Sequence, residues 1–299
     1  MPPSKTQHSL RALINDSAKQ LLQKLRVDDA SEARLEAELL YAEAAGLQRA
    51  QVIARGTESP DTAARQRFEN LLERRLKGAP LAYITGTRHF YGISYLVGPG
   101  ALIPRPETET LVEATLAAVR EHPETRRQVR VIDVGTGPGT VALTVALHAQ
   151  TAIVVAIDAS TAALAWANRN RRRLNLMDRV ELLVGDLLEP LTDPIDVVVA
   201  NLPYIPSDEL AGLPIEIRKA EPVLAVDGGE DGLVVIRRLI TQLTAHLAKG
   251  PCAVLLEVGA GQAAFVEDLL REALGHDIEL TRHRDLRGTA RVVEARQSY

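Results

Sequence analysis

The stretch Val129-Arg-Val-Ile-Asp-Val-Gly-Thr-Gly-Pro-Gly139 decides the fold. Its first six residues are Val and Ile except for Arg130 and Asp133, the composition of a strand covered on both faces. Glycines at 135, 137 and 139 follow, and then an apolar run over 139–149 with helical patterning. A strand, a glycine turn and a helix open a βαβ unit. Such glycines turn the chain tightly and bring backbone N–H groups to contact distance of a ligand beside the positive end of the helix. The next strand-like run, Ala152-Ile-Val-Val-Ala-Ile157, leads into Asp158, whose carboxylate can accept both hydroxyl hydrogens of a ribose.

Outward from this unit the same pattern recurs. Val180-Glu-Leu-Leu-Val184, Ile195-Asp-Val-Val-Val-Ala200 and Ala253-Val-Leu-Leu-Glu-Val258 read as further buried strands. Helical segments over 160–175 and 231–249, the latter closed by Gly250-Pro251, alternate with them. The alternation predicts a mostly parallel sheet with helices on both faces. No helical pattern separates Asp277-Ile-Glu-Leu-Thr-Arg282 from Ala290-Arg-Val-Val-Glu294, so these form an antiparallel pair at one sheet edge.

The first 78 residues have a different character. Leu10, Leu13, Ile14, Leu21, Leu22 and Leu25 recur at helical spacing, and Asp29 is placed to cap a helix carrying Leu35, Leu39 and Leu40 that ends near Gly46. Ser59-Pro60 can start another, with Gly78 past its end. The expected organisation is a helical recognition domain over 1–78, a connecting β-hairpin over 79–104 rich in Gly, Pro and aromatics (Tyr83, Phe90, Tyr91, Tyr95), and an α/β domain over 105–299.

Composition narrows the function classes. The chain has 299 residues, 46% of them hydrophobic and 25% charged, as in an ordinary globular protein. No apolar run reaches the ~20 residues needed to cross a bilayer, and the opening MPPSKTQHSLR lacks a hydrophobic signal core. A cytoplasmic location is therefore expected. Cys252 is the only cysteine, and the seven histidines show no ligand spacing, so neither a disulfide nor a metal centre is expected. The formal charge of −4 without a basic stripe disfavours nucleic acid as partner. Nothing demands more than a monomer.

The glycine loop also selects the cofactor. A dinucleotide fingerprint runs G-x-G-x-x-G, whereas this loop runs G-x-G-x-G with Asp133 two residues ahead of Gly135. That carboxylate repels a pyrophosphate and suits a cation, such as the amino group or the sulfonium of S-adenosylmethionine. The antiparallel last pair fits the methyltransferase variant of the fold better than the dehydrogenase one. The expected class is therefore α/β, a class I S-adenosylmethionine-dependent methyltransferase (Rossmann-like), preceded by a small all-α domain. Asp133, Val134, Gly135, Thr136 and Gly137 form the loop. Asp158 is placed for the ribose. Asp186 is a candidate for the adenine amino group with Leu187 beside the ring, a helix cap being the alternative use of that aspartate.

Asn201-Leu-Pro-Tyr204 ends the fourth strand of the α/β region, on the sheet edge where such folds bind ligands. A planar amide or ring nitrogen is a poor nucleophile because its lone pair is delocalised. Asn201 offers a side-chain carbonyl and Leu202 a backbone carbonyl to accept its hydrogens. Pro203 confines Leu202 to extended geometry, and Tyr204 supplies a flat face for stacking. Orientation of this kind can account for ~7–11 kcal/mol of a barrier.

Ile103-Pro-Arg-Pro-Glu-Thr-Glu109, the loop 133–139, Asn201-Leu-Pro-Tyr-Ile205, Glu221-Pro222 with Asp227-Gly-Gly-Glu-Asp-Gly232, and Asp285-Leu-Arg-Gly-Thr-Ala-Arg291 occur in this order. In that order they resemble the HemK/PrmC family, the protein-(glutamine-N5) methyltransferases that act on peptide chain release factors in translation termination. The resemblance spans roughly 79–296, and the helical region has the length and position of the family's recognition domain. It implies that 133–137, Asp158, Asp186, Leu187 and Asn201 contact S-adenosylmethionine, with S-adenosylhomocysteine as product. It also implies that Asn201, Leu202, Pro203 and Tyr204 grip the glutamine of the release factor's Gly-Gly-Gln loop. The family usually has Asn-Pro-Pro-Tyr, so Leu202 is a departure, and some members carry an aromatic where Leu187 stands. The main rival reading is an adenine-N6 methyltransferase of RNA or DNA, which shares the tetrapeptide. A silent S-adenosylmethionine-binding protein and a nicotinamide dehydrogenase are further alternatives. Whether Arg105, Glu107 and Glu109 line the site or brace the hairpin stays open at this level.

Overall fold

The computed structural model describes residues 9–25, 29–123 and 128–297. The stretch 1–8, read above for a signal core, lies outside the described residues. Two compact units are formed, one by the described residues up to Gly86 together with Leu213–Ala220, the other by the remainder.

The first unit is helical: α1 (Leu10–Leu25), α2 (Ala30–Ala45), α3 (Arg49–Ala54), α4 (Thr62–Leu76) and α5 (Leu81–Thr85), joined by the distant segment containing α9 (Ile215–Ala220). Asp29 caps α2 by accepting from the Ser31 and Glu32 N–H groups at 2.6 and 2.8 Å, and left-handed Gly46 closes it. The core centres on Leu21, Leu40 and Phe68, with the Tyr41 ring edge-on to Phe68 at 5.6 Å. Two boundaries differ from expectation. Helix α4 begins after Asp61 rather than at Pro60, because the Asp61 carboxylate accepts from Ala64 N at 2.8 Å. The helical unit also extends past 78, since α5 packs on α2 and α4 before Gly86 turns left-handed.

The second unit starts with β1 (Thr87–Phe90) and β2 (Ile93–Leu96), an antiparallel hairpin. Tyr91 and Gly92 are both at positive φ at its tip, the conformation that matches the twist of paired strands. The elements α6 (Glu109–Glu121), β3 (Val129–Val134), α7 (Thr140–His148), β4 (Ala152–Asp158), α8 (Thr161–Arg173), β5 (Val180–Val184), β6 (Val197–Ala200), α10 (Val234–His246), β7 (Cys252–Glu257), α11 (Ala263–Leu274), β8 (Glu279–Arg284) and β9 (Ala290–Gln297) follow.

The sheet order is β5-β4-β3-β6-β7-β9-β8, parallel from β5 to β7 and antiparallel at β9 and β8. Alternate residues of each strand enter two cores. Val129, Val131, Val154, Val197 and Leu255 face α6, α7 and the hairpin aromatics Phe90 and Tyr95. Ile132, Val134, Val155, Val198 and Leu256 face α10 and α11. Burial on both faces is why these strands read as continuous apolar runs.

Two expected boundaries shift together. The 195–200 strand enters the ladder only at Val197, and the 231–249 helix stops at His246. Ile195 donates to the His246 carbonyl at 3.0 Å and accepts from Ala248 N at 2.9 Å, so each segment ends the other. From β3 the chain moves outward to β4 and β5, then returns to β6 on the other side of β3. Ligand crevices of open α/β sheets lie at this reversal, outside the carboxyl ends of the strands.

Candidate active site

The glycine turn after β3 and the tetrapeptide after β6 meet at the reversal point and line one cavity. Asp133, next to last in β3, is 1% exposed. Its Oδ2 accepts from Thr136 Oγ1 at 2.6 Å and Ala142 N at 3.0 Å. Burial pushes its carboxyl up to about 6, the Asp158 charge adds to the rise, and the two hydrogen bonds oppose it. A buried carboxylate of this kind favours a cationic neighbour. Gly135 is left-handed, and a Cβ there would sit 2.9 Å from Leu202 Cδ2, so a side chain would fill the space between loop and tetrapeptide.

Asp158 ends β4. Its two oxygens accept from Gly137 N and Ser160 N, each at 2.8 Å, and burial raises its carboxyl against those bonds. Each oxygen keeps a lone pair for a further donor. Across the cavity Leu187 is buried at φ 56, and half-exposed Asp186 is ion-paired with Arg238. The helix-cap use considered for Asp186 gives way to this pair, since no helix starts there.

Asn201, which lines the cavity, donates from Nδ2 to Thr108 Oγ1 at 3.0 Å, which leaves its carbonyl oxygen outside that bond. Of the residues expected from sequence, Asp133, Val134, Gly135, Thr136, Gly137, Asp158, Asp186, Leu187, Asn201, Leu202 and Pro203 all line the cavity. Tyr204, expected to stack on the substrate, does not. It is half-buried against the apolar cluster on that side of the sheet, with Glu257, Arg291, Arg105 and Glu107 as its charged neighbours, and its backbone carbonyl accepts from Gln262 Nε2 at 2.9 Å. Its hydroxyl is pushed up to about 12, first by burial and then by the Glu257 charge.

The loop 227–232 holds the tetrapeptide from outside. Ile205 and Asp227 form a bridge, with Gly228 N donating to the Ile205 carbonyl at 2.8 Å. A Cβ on Gly232 would lie 2.3 Å from the Tyr204 carbonyl oxygen, so only glycine permits this approach.

The open question about the 103–109 motif resolves by geometry. Arg105 lines the cavity and is ion-paired with buried Glu221, which also accepts from Ile103 N at 3.0 Å. Glu109 braces the hairpin by accepting from Tyr91 N at 2.8 Å. Glu107 belongs to a charged group around Tyr204. Sequence reasoning missed Thr108, Thr140, Arg238 and Glu257. Thr140 Oγ1 is buried without a partner beside the glycine turn and lines the cavity. The one sequence signal for Glu257 was a carboxylate inside an otherwise apolar strand.

Two domain families match the chain: the PrmC N-terminal domain over residues 16–86, ending where the helical unit ends, and the methyltransferase small domain over 110–255. A release factor glutamine methyltransferase of Bradyrhizobium diazoefficiens is 38% identical over 284 residues, covering 95% of each chain. One from Moorella thermoacetica is 43% identical over 239 residues, 80% of this chain and 82% of that one. The hMettl16 catalytic domain, solved with the MAT2A 3'UTR hairpin 6, shares the fold at TM-score 0.53 and 16% identity, over 77% of this chain and 82% of that one. The sheet with its antiparallel final pair, the glycine turn and the acidic strand ends define a methyltransferase of the S-adenosylmethionine-dependent class. The chain belongs to the release factor glutamine methyltransferase family.

Proposed function

We propose that this enzyme methylates the side-chain amide nitrogen, N5, of the glutamine in the Gly-Gly-Gln loop of peptide chain release factors. The observation that supports the reading is the Asn201–Thr108 hydrogen bond, which occupies the Asn201 N–H and leaves its carbonyl for an amide donor, in a residue that lines the same cavity as Asp133 and Asp158. The cavity fits S-adenosylmethionine on three counts. Thr140 Oγ1 is an orphaned hydroxyl, Asp133 has an oxygen left for a cation, and the space beside Gly135 is one a side chain would fill. Residues 133–137, Asp158, Asp186, Leu187 and Asn201 would hold the cofactor. When bound, it supplies an electrophilic methyl on a sulfonium and becomes S-adenosylhomocysteine.

The chain's own part is positioning. The Asn201 side-chain carbonyl and the Leu202 backbone carbonyl accept the two amide hydrogens and aim the nitrogen lone pair at the methyl. The nitrogen forms one bond to carbon and releases one proton to solvent, so no strong base is required. Pro203 confines Leu202 to extended geometry, and since the carbonyl rather than a ring does the accepting, Leu202 replaces the usual proline without loss. Tyr204 anchors the tetrapeptide from behind. The helical unit docks the release factor, and the enzyme acts as a single chain in the cytoplasm.

A release factor and the same factor with its Gly-Gly-Gln glutamine changed to alanine, each incubated with radiolabelled S-adenosylmethionine, test the reading. Label entering the first and not the second is expected. Equal label in both would overturn the assigned acceptor, and label entering RNA instead would favour the adenine alternative.

A further inference from the structure

Glu257 ends β7 immediately beside the end of β6, where Leu256 pairs with Ala200 ahead of the tetrapeptide. It is 1% exposed, and neither carboxylate oxygen has a hydrogen bond. A buried carboxylate without partners is costly to keep, and a well-packed apolar residue would serve stability better. The hydroxyl groups beside it are those of Thr108 and Tyr204, and the charges facing it are Arg291 of β9 and Glu107 from the turn before α6.

Thr108 is the link to the site. Its Oγ1 accepts the Asn201 N–H, so its own single hydroxyl hydrogen must point elsewhere. We infer that ionised Glu257 is a positioning residue that takes the Thr108 hydroxyl hydrogen, and thereby fixes Asn201 with its N–H toward Thr108 and its carbonyl toward the substrate amide. Protonated Glu257 reverses the chain. It donates to Thr108, the threonine hydroxyl turns to the Asn201 carbonyl, and the Asn201 amide presents N–H groups where an acceptor is needed. Burial pushes Glu257 up to about 7, with Glu107 adding and Thr108, Arg291 and Tyr204 opposing, so the two states exchange near neutral pH.

This inference rests on the glutamine reading above. The test follows methyl transfer to a purified release factor from pH 5.5 to 8.5 at saturating cofactor. Wild-type kcat is expected to fall on the acid side with a midpoint near pH 7. Glu257→Gln keeps a carbonyl to accept from Thr108 but does not titrate, so its own rate at pH 6 equals its rate at pH 8. Glu257→Leu removes the acceptor and lowers kcat by about a hundredfold at pH 8, as a misaimed group does, with a flat pH profile and KM little changed. Cofactor affinity, measured by calorimetry, stays at the wild-type value in both variants and shows that they are folded. An acid limb in Glu257→Gln identical to wild type, or wild-type kcat in Glu257→Leu, overturns the assignment while leaving the substrate reading intact. No transfer by the wild-type enzyme overturns both.

Discussion

At the scale of single residues, the site consists of acceptors aimed by their neighbours. Asn201→Ala is expected to lower kcat by at least about a hundredfold while cofactor affinity stays within a few-fold, because the glycine turn and Asp158 are untouched. Steady-state kinetics beside calorimetry checks the split. Asp133 gives a pH prediction of definite sign. Its carboxyl stands at about 6 in the free protein, above the ordinary aspartate value, and a cation bound against it pulls the value down. Affinity therefore rises as pH climbs through 6 and falls below it, by up to about tenfold per pH unit. Titrations of S-adenosylmethionine between pH 5 and 8 read this directly, and Asp133→Asn should flatten the slope. By the same linkage, the buried carboxyl stabilises the free fold below the unfolded-state value, and that contribution is lost as pH rises through 6. Asp133, Asp158 and Asn201 stand out in the sequence because each lies at or next to the carboxyl end of a strand at a recognisable spacing. Thr108 does not, since it meets Asn201 across 93 residues of sequence. Glu257 carries no local pattern beyond its presence in an apolar run.

At the scale of elements, close approach of backbones decides the geometry. The 227–232 loop presses on the tetrapeptide through Gly232, at φ 74, where an added Cβ would collide with backbone. Gly232→Ala should cost about 1–3 kcal/mol of stability and impair turnover more than cofactor affinity, because the displacement falls at Tyr204 rather than at 133–137. Thermal melts, cofactor titration and turnover on the same preparation separate these effects. The parallel strands β3 to β7 were readable to within about two residues, most of them because burial on both faces leaves a continuous apolar signature, whereas β9 runs three residues past the expected 294. The ends of β6 and α10 were misplaced for a physical reason. Ile195 and the segment 246–248 satisfy each other's backbone groups, a long-range exchange that periodicity cannot reveal. The start of α4 differs from the expected one for a local reason: Asp61 rather than Ser59 caps the helix, its carboxylate accepting the Ala64 N–H.

At the scale of the whole molecule, two units were foreseeable from the change of hydrophobic period, but their membership was not. The segment Leu213–Ala220 joins the helical unit through Arg75, which is 3% exposed, bidentate to Glu36 at 2.9 and 3.0 Å, and bound to Glu216 at 2.7 Å. Removing one member of a buried charge group strands the others, so Arg75→Met should destabilise that unit by about 3–5 kcal/mol. Urea unfolding followed by far-ultraviolet dichroism measures the loss. The claim that joins all three scales is that one methyl passes to one amide nitrogen. The most direct measurement is intact-protein and peptide mass spectrometry of a release factor incubated with the enzyme and S-adenosylmethionine. A single added methyl on the glutamine of the Gly-Gly-Gln loop is the predicted result. An unmodified release factor, in a reaction where cofactor binding is confirmed in parallel, would contradict the account.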